Sequence, residues 1–235
     1  RKTMDINDIL NDEICNDELL HIEIEQSNYN RSTYIDRNFI FSDRYIEAIK
    51  SLKLNKYCTQ KILEAARAMT THHHGDKYED LYFIDSKTNK MLFRTDYREN
   101  EQEVLPTLAM KKMARESENI ISIHNHPTNS IPSSTDIFTC FCISYEFGLV
   151  ICHNGTIYKY STLDEINTAL YDMEAKIFCI REEQNNKSYK DKKISYDEYI
   201  KKHNRNFDEF SNHAYDAGVK IEEVIWNESF GKTNN

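Results

Sequence analysis

Between residues 41 and 162 the chain alternates between two hydrophobic periods, one helical and one extended. Residues 60–69 carry Ile62, Ala65, Ala66 and Met69 at i, i+3, i+4 and i+7 among strong helix formers, which predicts a helix over 57–70; a shorter one precedes it over 43–52. Leu81, Tyr82, Phe83 and Ile84 are aromatic or apolar in succession and predict a strand over 79–85. Asp85, Ser86 and Asn89 supply turn chemistry before a second strand over 90–95. A helix over 104–117, a strand over 119–125 and a helix over 133–146 follow. Two further strands, 148–153 and 156–161, flank Asn154 and Gly155, a dipeptide that accepts the positive φ angles of a tight hairpin.

Helices alternating with paired strands predict an α/β (α+β) fold, a mixed sheet flanked by helices. Residues 1–40 differ: they are acidic and Asn-rich, with apolar pairs such as Ile9 with Leu10, and read as a flexible or loosely helical lead-in. Residues 163–235 read as a helical C-terminal extension. Leu163, Ile166, Leu170, Met173 and Ile177 form a helical stripe, residues 181–193 look too polar to pack and read as a linker or an exposed helix end, and a second helix over 196–217 ends at Gly218. Residues 219–226 fit a short strand or a docking tail. The chain opens on Arg1, so a fragment of a longer protein is expected.

Composition narrows the setting. The chain has 235 residues, enough for one well-buried domain with accessory helices over the core at 41–162. Its six cysteines (Cys15, Cys58, Cys140, Cys142, Cys152 and Cys179) show neither a framework spacing nor a CxxC, which points to reduced thiols and a cytoplasmic protein. No apolar run approaches the length of a membrane span and no signal peptide is read from the sequence, so no membrane partner is expected. A net charge of -9 argues against a nucleic-acid partner held through its phosphates.

The chemistry concentrates where Ile121 and Ile123 lead a strand into His124. Alternate residues of a strand share a face, so His124 and His126 can converge on one ion while Asn125 faces away. Pro127 stops the strand, the Thr, Asn, Ser and Pro content of residues 128–132 makes a turn, and Ser133 or Ser134 is placed to cap a helix whose first turn carries Asp136. Two neutral imidazoles and a carboxylate suit Zn²⁺, and three protein ligands leave a position open for water, the mark of catalytic rather than structural zinc.

This run of His124, His126 and Pro127, followed by Ser133 and Asp136, resembles the signature of the JAMM (MPN+ or JAB) zinc metallo-isopeptidases. The resemblance spans roughly residues 60–160, and five residues separate Pro127 from Ser133 where many family members have six or so. It implies a cytidine-deaminase-like core, a Zn²⁺ cofactor and a protein substrate, commonly ubiquitin or a ubiquitin-like tail. It also implies an upstream Glu that opens a strand after a helix and serves as general base. Glu79 fits that place, with Asp80 its nearest competitor; Glu101 and Glu103 are weaker because they lie in a charged loop. On this reading Glu79 takes a proton from the attacking water and later delivers one to the leaving amine, while the metal and the Ser133 hydroxyl stabilise the oxyanion. The wording around Tyr78, Ile123 and Cys152 is similar to JAB-like domains of phages and mobile elements in low-GC bacteria.

Two neighbouring patterns read as decoys. Three adjacent histidines, His72, His73 and His74, cannot all face one ion and are expected in a solvated loop near the Glu79 strand. Cys152 and His153 point to opposite faces of a strand, so they are expected as core and strand-end residues rather than a nucleophile with its base. Two other classes share parts of the motif. A RadC-like, DNA-associated protein is disfavoured by the acidic balance and the lack of an upstream helix-hairpin-helix segment, and a non-catalytic MPN-type scaffold by the intact set of His124, His126 and Asp136.

Overall fold

The computed structural model describes residues 35–74, 76–95, 108–117 and 119–228. Most of the expected lead-in over 1–40, and the alternative acids Glu101 and Glu103, lie outside the described residues. In chain order the elements are α1 (Arg37–Ile40), α2 (Asp43–Lys50), α3 (Lys56–His72), β1 (Leu81–Asp85), β2 (Lys90–Arg94), α4 (Leu108–Arg115) and β3 (Ile120–His126). Then come α5 (Ser134–Ile143), β4 (Phe147–Cys152), β5 (Ile157–Thr162), α6 (Thr168–Lys190), α7 (Tyr196–Asp216) and β6 (Val219–Ile225). Among the described residues no helix is long and apolar enough to cross a membrane.

The six strands form one sheet in the order β2-β1-β3-β4-β5-β6. Every neighbouring pair is antiparallel except β3 with β4, which run parallel because α5 carries the chain back between them. The fold is therefore the α+β mixed sheet, flanked by helices, that the alternating periods predict. Strand alternation divides the core. Tyr82, Ile84, Ile121, Ile123, Leu149 and Ile151 face α1, α2 and α3, whereas Leu81, Phe83, Val150, Cys152, Tyr158 and Tyr160 face α5, α6 and α7. The five described cysteines, Cys58, Cys140, Cys142, Cys152 and Cys179, are free thiols.

Two expectations for the C-terminal part are corrected. Residues 181–193 are an exposed helix end rather than a linker over most of their length, since α6 runs unbroken to Lys190, but the end does pack, burying Glu182 and Asn185. Their polarity is satisfied internally: Glu182 accepts hydrogen bonds from His203 Nδ1 (2.7 Å) and Asn206 Nδ2 (2.6 Å), both on α7. The stripe through Met173 packs only at its start, where Ile166 and Leu170 lie against the core. Met173 is 51% exposed, and the buried line is instead Tyr171, Phe178, Glu182 and Asn185, which α7 and the sheet cover. The last segment is strand β6, paired antiparallel with β5 and so part of the same sheet.

Candidate metal centre

The centre lies at the carboxyl end of β3, where the parallel pair ends and α5 begins. His124 and His126 occupy alternate positions of β3 on the face that packs against α5, and both are buried. Asn125 between them points to the other face, where its Oδ1 accepts from the Asp80 amide (2.7 Å) and its Nδ2 donates to the Tyr78 carbonyl (3.0 Å). Asn129, with φ of 59°, turns the chain after Pro127; its side chain accepts from the Asn154 amide (2.7 Å) and ties the loop to the β4–β5 connection. Further along the loop, the Tyr171 hydroxyl donates to the Pro132 carbonyl (2.8 Å).

Ser133 then caps α5 in a capping box. Its hydroxyl accepts from the Asp136 amide, and its own amide and hydroxyl both donate to Asp136 Oδ2 at 2.7 Å. That pair of bonds fixes the carboxylate at the positive end of the helix, turned toward the histidines. Asp136 Oδ1 lies 3.2 Å from His124 Nε2, Asp136 Oδ2 lies 3.4 Å from His126 Nε2, and the two Nε2 atoms are 3.0 Å apart. Donors on a tetrahedral zinc at the usual bond lengths are separated by about 3.3 Å. The three side chains could therefore hold a metal ion with little rearrangement.

Orientation of the rings supports that fit. His126 Nδ1 donates to the Ser130 carbonyl at 3.0 Å, which leaves Nε2 as the atom facing Asp136 and His124. Burial lowers the basicity of His126, but the Asp136 carboxylate and the charge of Glu79 outweigh it and bring the imidazole up to about 9. Burial likewise disfavours the Asp136 anion, yet the two imidazoles hold its carboxyl well below the usual range. The Asp136 side chain keeps 19% of its surface exposed, so one side of the cluster opens to solvent.

Glu79 precedes β1 by two residues and is half-buried. Leu81 pairs with His124 across the β1–β3 ladder, and the alternation that places Leu81 on the α5 face extends to Glu79, opposite His126. Asp80 goes the other way. It is fully buried on the far side of the sheet, 3.0 Å from His72 Nδ1 and 3.2 Å from His73 Nε2, so it is committed there rather than to the centre.

The histidine run is accordingly solvated only in part, since His72 and His74 are exposed and His73 is not. His72 ends α3 and His73, which follows the helix as its cap, is 1% exposed; only His74 turns elsewhere, accepting at Nδ1 from the Ile35 amide (3.3 Å). Cys152 closes β4 inside the core with its thiol pushed well above the ordinary range by burial, and the buried His153 sits on the opposite face within 3.1 Å of Asn125. They form no nucleophile–base pair. Sequence reasoning missed the Ser130 carbonyl behind His126 and the Tyr171 anchor on Pro132. The first is a main-chain contact, and the second joins residues 39 apart, so neither leaves a local signal. The Asp80 pairing did have one, since adjacent positions at a strand entrance face opposite ways.

No known protein family, no curated protein and no solved structure matches this chain. The functional reading therefore stands on the geometry of the site.

Proposed function

We propose that the protein is a zinc-dependent hydrolase that cleaves an isopeptide or peptide bond in a protein substrate, in the manner the JAMM-like motif implies. The observation that carries this reading is the convergence of His124 Nε2 and His126 Nε2, 3.0 Å apart, on the Asp136 carboxylate, whose Oδ1 lies 3.2 Å from the first and whose Oδ2 lies 3.4 Å from the second. Buried imidazoles and a carboxylate form the donor set of catalytic zinc sites with an open position. An ion bound there would acidify a coordinated water and polarise a substrate carbonyl.

The remaining work falls to the chain. Glu79, on the same face and close enough for its charge to act on His126, takes the proton from the attacking water and returns one to the leaving amine. Asp136 and His126 are held in place by Ser133 and by the Ser130 carbonyl, so the ligand atoms need not reorganise during turnover. Ser133 is exposed at the lip of the site; its one hydroxyl proton is given to Asp136 Oδ2, so donating to the oxyanion would require that bond to be exchanged while the Ser133 amide keeps hold of the carboxylate. An extended ubiquitin-like tail is the substrate class that the motif favours.

Two variants test the proposal. By elemental analysis His126→Ala should carry one equivalent of zinc less than the wild-type protein; an equal zinc content in the two would sink the assignment. Glu79→Gln should keep the metal while hydrolysis of ubiquitin-like fusion substrates falls by about 10²–10⁴-fold, the range for loss of a general base. Full activity in Glu79→Gln would assign the proton transfer to another group.

A further inference from the structure

We propose that His72, His73 and Asp80 form a second site for a transition-metal ion of the zinc class, on the face of the sheet opposite the first. Their ligand atoms lie within 4.8 Å of one another. Asp80 turns one oxygen to each ring: Oδ2 lies 3.0 Å from His72 Nδ1 and Oδ1 lies 3.2 Å from His73 Nε2. The second contact is at ion-pair distance. His73 Nε2 and Asp80 Oδ1 are both buried without a hydrogen-bond partner, a costly arrangement that a cation between them would relieve. Behind the site, His73 Nδ1 lies 3.1 Å from the Asp76 carboxylate, and this bond turns Nε2 toward Asp80 as carboxylate–histidine–metal triads require. The side chain of His72 is 34% exposed and gives an ion its path in.

The site joins the end of α3 to the segment that enters β1. Since Glu79 and Asp80 are consecutive and face opposite ways, an ion on Asp80 also fixes the backbone of Glu79. That consequence for catalysis rests on the hydrolase reading above; the metal site itself does not.

Zn²⁺ titration of the purified full chain against a chromophoric chelator tests the inference. Wild type is expected to bind two equivalents, His72→Ala one, His126→Ala one, and the double variant none. His72→Ala removes a half-exposed ring, so folding should survive, and a circular dichroism spectrum checks this. Asp76→Asn is expected to weaken one of the two equivalents by about 10–100-fold, the usual effect of losing a carboxylate behind a ligand histidine. A wild type that binds a single equivalent, lost in His126→Ala and kept in His72→Ala, overturns the second site and leaves the first intact. A single equivalent lost in His72→Ala and kept in His126→Ala supports the second site and removes the hydrolase centre.

Discussion

Asp136 reaches the two histidines because Ser133 holds it there. The hydroxyl of Ser133 both caps α5 and donates to the carboxylate, so one short side chain serves helix and ligand together. Ser133→Ala should lower stability by about 0.5–2 kcal/mol through loss of the cap. It should also weaken zinc at this centre by up to about 10–100-fold, because the carboxylate loses one of its two anchoring bonds and keeps only that from the residue-133 amide. Urea unfolding and competitive zinc titration measure the two effects separately; unchanged zinc affinity would limit Ser133 to capping. Much of this was legible in the sequence. The His-x-His spacing and the Ser three positions before Asp place these groups by strand and helix periodicity alone. The choice between Glu79 and Asp80 was less so. It turns on where β1 begins and which face its first residues take, and the contacts of the buried Asp80 carboxylate with His72 and His73 place Asp80 on the face away from His124 and His126.

At the scale of elements, the sheet brings its aromatic residues so close that one position must be glycine. Tyr160 of β5 lies over Gly148 of β4, and a Cβ there would come within 2.1 Å of the Tyr160 ring. Tyr160 is fully buried beside His124, with ring centroids 6.4 Å apart, so displacing it disturbs the floor of the centre. Gly148→Ala should destabilise the fold by about 1–3 kcal/mol, the usual cost of overpacking, read as a lower urea midpoint with an unchanged slope. Gly218, at φ of +82°, ends α7 where a Cβ would meet the Glu165 carbonyl, which explains the sharp stop its position suggests. The error at α6 has a physical source as well. Apolar residues lie on more than one side of this helix, and Met173 and Ile180 remain exposed, so period alone cannot select the packed face.

Across the whole molecule, α6, α7 and β6 are joined by one buried polar cluster. His203 of α7 donates from Nδ1 to Glu182 of α6 and from Nε2 to Glu223 of β6 (3.0 Å), and its ring stacks on Trp226 at 3.5 Å. Burial pushes His203 toward neutrality, but the two carboxylates prevail and bring it up to about 9. A folded value above the unfolded one stabilises the protein below pH about 6.5, and the contribution is lost as pH rises through about 9. Urea unfolding between pH 6 and 10 should show a pH dependence smaller by about 3 kcal/mol in His203→Gln than in wild type, the rest coming from groups such as His126. An equal pH dependence in the two proteins would assign it to other groups. The sequence by itself determined the alternating elements, the mixed sheet and the convergence of His124, His126 and Asp136, since each follows from periods of two or 3.6 residues and from capping chemistry that acts within one turn. Only the tertiary structure decided what depends on contacts between distant residues: that His72 and His73 meet Asp80, that Glu182 is buried against His203, and that Glu79 and Asp80 serve opposite faces of the sheet. A burial or a pairing of this kind is settled by which surface covers a side chain, and that surface comes from another part of the chain.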